Sequence, residues 1–419
     1  VISSKYSDYM YELVDRVISE IGPRESCSQE EKALGRLLSE ELGPACDSVE
    51  TEKFTCSPTA FLGFFPFLVL GYFAGVALYY ILPPVSLIIA ALCLGVLFFE
   101  LVRYRELIDP LFPHKEGENI VGRISPSGEV KRRVVVSAHL DSAYEFKVWY
   151  WFKGLSPVVM IVAFAAPLLL LGASLARTIV HSNGVPDNTA YTVLGIVLIA
   201  LAPIVGIFAF FHTKDVVPGA MDNMSGISVV AGLAKYLKDA RESGEFEPGS
   251  TEVILFGASS EEAGLRGAKR YAARHRAEFA KVPTSGIFLD CIYDEKYLMA
   301  FKRELWTGAR HDSYLIGLAQ NVASEIGFNM KAGLVPVGAT DASAFSLAGI
   351  PSFCICCQDI SKLVPNYHTR LDTIEFIRPE SMVVSLQVVI DMLKKLDAIS
   401  AGRAASDEPA RGAGPGARA

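Results

Sequence analysis

The sequence predicts an α/β fold, a mostly parallel mixed sheet sandwiched by helices, joined to four transmembrane α-helices arranged as two hairpins. Three observations carry this expectation. Short β-branched runs alternate with amphipathic helical stretches, the pattern of a parallel sheet covered on both faces. Polar residues follow those runs at their carboxyl ends, where open α/β sheets bind ligands. Four long stretches, 59–82, 85–102, 155–176 and 190–211, are apolar and almost free of charge, Glu100 being the exception, and each is close to the ~20 residues that cross a hydrocarbon core.

In chain order, residues 4–42 read as helical. Within them Ser28-Gln-Glu-Glu31 forms a capping box ahead of Ala33, Leu34, Leu37, Leu38 and Leu42 at helical spacing. Val49–Phe54 and Asn119–Ile124 alternate as short strands on either side of the first hairpin. Arg133–His139 is a β-branched strand and Ser225–Leu237 a helix. Thr251–Gly257 is a strand followed by a helix over Glu262–Arg276; Gly286–Asp290 and Ile350–Cys356 are strands, and Glu380–Leu396 closes the fold as a helix.

The hairpins turn at Leu82-Pro83-Pro84 and at a loop with Asn183-Gly184 and Pro186-Asp187-Asn188. An even number of spans returns the chain to one side. The expected organisation is therefore a discontinuous polar domain of 1–56, 103–154 and 212–400, membrane hairpins at 57–102 and 155–211, and a disordered tail over 401–419, rich in Ala, Gly, Arg and Pro. Lys53, Arg103, Arg105, Lys147, Lys153 and Lys214 flank the spans on the domain side, against Arg177 on the other. The positive-inside rule puts the domain in the cytoplasm of a multi-pass membrane protein. No segment before residue 59 reads as a signal peptide.

A net charge of −7 argues against nucleic-acid binding. The eight cysteines show no C-x-x-C pair, and Cys354-Ile-Cys356-Cys357 falls in an apolar run, as small buried strand residues do.

The chemistry lies in an ordered set: His139, Asp222, Glu261, Glu262, Asp290 and His368. In His139-Leu-Asp141 alternate strand residues share a face, so Asp141 can hold one ring nitrogen while the other binds a metal. Gly219-Ala-Met-Asp222-Asn223-Met-Ser225-Gly226 places an aspartate between glycines just before a helix, as a cap or as a bridging carboxylate. Glu261 and Glu262 are adjacent acids at a strand-to-helix corner, a conflict that a cation or a proton resolves. Asp290 ends an apolar strand, where burial without a partner is costly; a metal, Lys296 or Arg303 could serve. His368 sits in a polar loop, whereas His114, His181, His212, His275 and His311 read as surface or loop residues. Two histidines, one shared carboxylate and two more carboxylates suit a pair of zinc ions, with one acid left to move protons. That composition points to a hydrolase.

The set resembles the family 28 metallopeptidases, the co-catalytic di-zinc aminopeptidases and their carboxypeptidase relatives. The likeness runs through His139-Leu-Asp141, Gly219–Gly226, Glu261-Glu262, Asp290, Asp341-Ala-Ser-Ala-Phe345 with Gly349-Ile-Pro351, and Tyr367–Thr373. It implies a zinc aminopeptidase-like fold with one zinc on His139 and Asp290, another on Glu262 and His368, and Asp222 bridging. It also implies Glu261 as general base and acid, Asp141 orienting His139, Tyr367 assisting at the oxyanion, and a cis peptide at Asp222-Asn223. Manganese or cobalt can occupy such sites as well. The membrane hairpins lie outside the family's usual soluble pattern.

The second hairpin interrupts the loop between His139 and Asp222, so the cleft is expected to face the bilayer or open beside it. Apolar or membrane-associated peptides are then the expected substrates, unless the hairpins serve only as an anchor. Gly71-x-x-x-Gly75 permits close helix pairing and a homodimer. The alternatives are a glutaminyl-cyclase-like transferase, which uses one zinc, and a non-catalytic receptor or scaffold. Retention of every ligand argues against both.

Overall fold

One sheet is sandwiched between two apolar layers because its buried strands send alternate side chains to opposite faces. The computed structural model describes residues 4–183, 189–362 and 364–402. Its strands are β1 Ser48–Cys56, β2 Lys115–Ile124, β3 Arg132–His139, β4 Tyr144–Phe146, β5 His212–Val216, β6 Thr251–Ala258, β7 Thr284–Ile292, β8 Met299–Glu304, β9 Lys331–Val335 and β10 Ser352–Cys357. Among the described residues eight of these form one sheet in the order β1-β2-β6-β3-β7-β10-β8-β9, and β4 pairs with β5 apart from it. The central β6, β3, β7 and β10 run parallel. The β1–β2, β2–β6 and β8–β10 pairs are antiparallel, so the sheet is mixed but mostly parallel at its core.

The helices are α1 Ser4–Glu20, α2 Gln29–Leu42, α3 Ala60–Gly63, α4 Phe65–Ile81, α5 Pro83–Val96, α6 Lys147–Phe152, α7 Ser156–Ser182, α8 Thr189–Ile207, α9 Ser225–Ser243, α10 Arg266–Phe279, α11 Ser313–Glu325, α12 Asp341–Leu347 and α13 Pro379–Ser400. Val134 and Val136 join the layer built from α1, α2, α9, α11 and α13, whereas Val135 joins the opposite layer with Phe256, Tyr271 and Phe345. The β-branched run of β3 suits a strand buried on both faces.

Four helical stretches, Ala60–Ile81, Pro83–Val102, Lys147–Ser182 and Thr189–Phe210, are long and apolar enough to cross a membrane. The shortest, at ~1.5 Å rise per residue, matches a ~30 Å hydrocarbon core. They pack as one bundle. Ser86 Oγ donates to Gly75 O at 2.7 Å and lies 2.8 Å from Ser174 Oγ, while Tyr72 donates to Leu198 O at 2.9 Å. A Cβ on Gly71 would meet Cys93 Sγ at 2.4 Å, and one on Gly75 would meet Leu170 at 2.8 Å. The glycine pair is thus spent on packing within the chain, not on a surface free for a second copy.

Several local expectations need correction. The helical stretch over 4–42 is interrupted between Glu20 and Gln29. Ser28 Oγ accepts the Glu31 N–H at 3.1 Å as expected, but Glu31 reaches the N–H groups of Cys27 and Ser260, both at 2.7 Å, instead of closing a capping box. The helix after β6 begins at Arg266, not Glu262. Gly264 and Leu265 take φ of 98° and 62°, and this left-handed pair keeps the two acids in a loop. His311 is buried and lies 3.0 Å from Glu304, so it is not a surface residue. The tip of the second hairpin at 184–188 and the tail from 403 lie outside the described residues.

Candidate functional site

The parallel strands deliver their acids and histidine at their carboxyl ends. His139 is the last residue of β3, Glu261 and Glu262 follow β6, and Asp290 lies near the end of β7. Asp222 comes from the segment before α9, and His368 from the loop before α13. These residues converge. His139 Nε2 lies 3.0 Å from Asp222 Oδ1, and His368 Nε2 lies 3.1 Å from Asp222 Oδ2. One carboxylate therefore presents a separate oxygen to each histidine. His368 Nε2 is also 3.4 Å from Glu262 Oε1, and Glu261 Oε2 stands 4.0 Å from His139 Nε2.

Behind this front, hydrogen bonds hold the backbone in place. His139 Nδ1 lies 3.1 Å from the Asp141 carbonyl and 3.4 Å from its carboxylate, which leaves Nε2 as the nitrogen turned toward Asp222. The Asp141 carboxylate in turn accepts the N–H groups of Glu261 at 3.0 Å and Glu262 at 3.1 Å, and the Ser26 hydroxyl at 2.6 Å. The Asp222-Asn223 peptide is cis. Asp372 accepts the N–H groups of Met221 at 2.8 Å and Asp222 at 3.2 Å, and Asn223 donates to Leu289 O at 2.8 Å. Gly226 must be glycine for this: a Cβ there would meet Asn223 Oδ1 at 2.4 Å and Leu289 O at 2.9 Å.

The electrostatics call for cations. Burial pushes Glu261 and Glu262 well above the usual carboxylate range, with His139 pulling both back and neighbouring acids adding to the rise. Burial also lifts Asp290 to about 7 and Asp341 to about 8. Asp222 moves the other way, since its two histidines override burial. Burial disfavours charge on His139, yet Glu261, Asp141 and Asp222 outweigh it and raise its pKa well above the usual value. Among the described residues no lysine or arginine pairs with Asp290; Lys296 lies 3.8 Å from Asp294 instead. Glu262 Oε1, His368 Nδ1 and both Asp341 oxygens are buried without a hydrogen-bond partner. So many buried acids around two histidines are stable together when positive charge lies among them.

The donor set fits metal. Single ligand atoms of His139, Asp222 and Glu262 lie within 4.8 Å of one another, and so do those of Asp222, Asp290 and Cys291. Asp222 belongs to both groups. The first group joins His139 to Glu262, residues that the family likeness divides between two ions, and the second brings in Cys291.

Cys291 was not among the residues singled out for this chemistry, although it directly follows Asp290. Nor were Asp372, Asp341 and Glu31 given roles. The first two stand inside quoted motifs, and Glu31 inside a helix-start signal, where nothing local distinguishes them. Tyr367 packs against His368 with tilted rings whose centres are 4.0 Å apart, and stacks on Trp149 at 5.4 Å.

Asp222, Glu261, Glu262, Asp290, Cys291 and His368 form the floor of a cavity of about 840 Å³ whose walls include Phe61, Leu101, Trp149 and the start of α7. Residues 203–393 match the sequence model of Peptidase family M28. Over that segment the chain is similar to peptidase family M28. The matched segment holds Asp222, Glu261, Glu262, Asp290 and His368; His139 and Asp141 precede it and are brought in by β3. Among curated proteins, the chain is similar to aminopeptidase YwaD of Bacillus subtilis (strain 168), 28% identical over 181 residues, which is 43% of this chain and 38% of that protein. The match thus spans well under half of that relative's length. Among solved structures, a zinc aminopeptidase from Bacillus subtilis superposes with a TM-score of 0.55 at 15% identity, covering 93% of this chain and 94% of the other. A glutaminyl cyclase from an Acidobacteriales bacterium gives 0.54 at 13% identity, covering 95% and 97%. At these identities the likeness speaks for the fold alone.

Proposed function

We propose that the protein is a membrane-bound di-zinc aminopeptidase that removes N-terminal residues from peptides. The observation that carries this reading is the position of Asp222, with one oxygen 3.0 Å from His139 and the other 3.1 Å from His368. His139 and Asp290 would hold one ion, Glu262 and His368 the other, and Asp222 would be shared; manganese or cobalt could substitute. Bound zinc would supply Lewis acidity and lower the pKa of a water between the ions.

The chain's own groups do the rest. Glu261, loosely placed beside His139 and not needed as a ligand, takes the proton from water and returns it to the leaving amine. The oxygen bonds to the substrate carbonyl carbon and the C–N bond breaks. Asp141 keeps Glu261 and Glu262 in register through their N–H groups, and Tyr367 offers a hydroxyl beside His368 for charge developing on the carbonyl oxygen. Acid oxygens around the ions give a free α-amine partners at the cleft floor, which favours the aminopeptidase reading. The domain made of 1–56, 103–154 and 212–400 would lie in the cytoplasm, on the basic side of the two hairpins.

The test is a digest of a peptide library with free and blocked termini by the full chain in lipid nanodiscs, with metal measured. About two zincs per chain and cleavage limited to free amino termini are expected. One zinc and ring closure of N-terminal glutamine would favour a cyclase, and no bound metal would favour a scaffold.

A further inference from the structure

The cavity above the acids continues down the membrane helix. Pro157, Met160, Ile161, Phe164, Ala165 and Leu168 all line it, and their spacing of three and four makes them one face of α7. From first to last the stripe runs about 16 Å along the axis at ~1.5 Å per residue. α7 starts at Ser156 on the domain side, so the stripe reaches roughly the middle of a ~30 Å hydrocarbon core. Ala163, Ala166 and Leu170, on the other faces, are buried in the bundle. Ile161 and Leu168 are 69% and 58% exposed, so the groove is open along the side that lipid covers.

The wall changes character along this length. Near the acids it is made of loops, 335–340 and 358–362. Along α7 the backbone is already paired within the helix and the side chains are apolar. A peptide in that far half would leave its own N–H and C=O groups without partners, which is costly away from water. A hydrocarbon chain has no such groups. An aminopeptidase also has one residue before the scissile bond, so a chain this long belongs to the leaving side.

We propose that the far half of the cavity is a subsite for a hydrocarbon tail. The substrate is then an amphiphile: an aminoacyl or peptidyl amide whose leaving side bears an acyl or alkyl chain still lying in the bilayer. This rests on the aminopeptidase reading above. Water adds its oxygen to the carbonyl carbon, the C–N bond breaks, and the tail-bearing amine leaves with the proton that Glu261 returns. The tail could belong to a lipidated peptide or to a simple long-chain amine.

The test uses zinc-loaded full chain in nanodiscs with alanine N-alkylamides from ethyl to dodecyl. A second pair is Ala-Leu-Leu-Leu-Leu with a free carboxyl terminus and with a C-terminal dodecylamide, which separates the two sources. Expected is a rise in kcat/KM of about tenfold or more with chain length. Ala165→Trp, which fills the groove, should cut that rise below about twofold and leave the ethylamide rate unchanged; partition into lipid alone would survive this substitution. Ethylamide turnover with no rise, or with a rise that Ala165→Trp leaves intact, overturns the subsite and spares the peptidase reading. Binding gives a readout without turnover. Trp149 and Trp306 line the cavity and Trp151, the third tryptophan, is exposed. In Trp151→Phe, Glu261→Gln protein, a brominated dodecylamine should quench fluorescence, and Ala165→Phe, which fills the groove without adding a fluorophore, should weaken its binding about tenfold. Equal binding with and without Ala165→Phe overturns the subsite even if no amide is hydrolysed.

Discussion

The carboxylate of Asp141 caps the backbone of Glu261: Oδ1 accepts its N–H at 3.0 Å, while Oδ2 takes the next N–H, that of Glu262, at 3.1 Å. The residue that steadies His139 therefore also sets the two acids following β6. Asp141→Asn turns one acceptor into a donor facing an N–H. Zinc affinity or kcat/KM should fall about 10- to 100-fold, measured by metal titration and peptide kinetics on the full chain; unchanged values would show that the loop holds without Asp141.

Glu261 and Glu262 are neighbours with different predicted fates. Glu261→Gln should lower kcat by about 10²–10⁴-fold with zinc content near that of the wild type. Glu262→Gln should lose metal as well. Stopped assays paired with elemental analysis distinguish the two, and equal metal loss in both variants would erase the division of labour.

Arg266 is nearly fully buried at the start of α10. It forms two hydrogen bonds of 2.9 Å with Asp109 and lies 3.5 Å from Glu100, at the end of the second membrane helix. Arg266→Met would leave both acids buried without the cation they share, a loss of about 3–5 kcal/mol. A clear drop in melting temperature in detergent is expected, while Arg274→Met, at an exposed pair with Glu52, should shift it little.

Glu106 supplies a pH signature. Burial alone would raise its pKa, but Arg270, Arg266 and Lys269 hold it near 2, below its ordinary 4.5. A carboxylate depressed in the folded state stabilises above its unfolded pKa and loses that contribution as pH falls toward its folded one. The stability advantage of wild type over Glu106→Gln should be full at pH 6 and vanish between about pH 4.5 and 2, as read by thermal melts across that window.

Much of this architecture is written in local patterns. β-branched runs marked β3, β6 and β7 as buried strands, because a strand covered on both faces has no room for polar side chains. The four helices long and apolar enough to cross a membrane declared themselves by apolar length, which lipid demands and a soluble core does not. His139, Asp222, Glu261, Glu262, Asp290 and His368 stood out by type and by position at a strand end, before a helix or in a polar loop, and the structure brings them together.

What tertiary structure alone decided lies in contacts between residues far apart in the chain. Asp372 reaches Met221, Glu31 reaches Ser260, and the two histidines divide Asp222 between them. No periodicity encodes such partners, because they depend on where loops meet after the sheet has assembled. The start of α10 moved to Arg266 for a similar reason: left-handed backbone at Gly264 and Leu265, which propensity does not foresee, holds the acids ahead of it. The cavity along α7 belongs here too, since its stripe reads as an ordinary membrane helix until the acids of the domain are set above it.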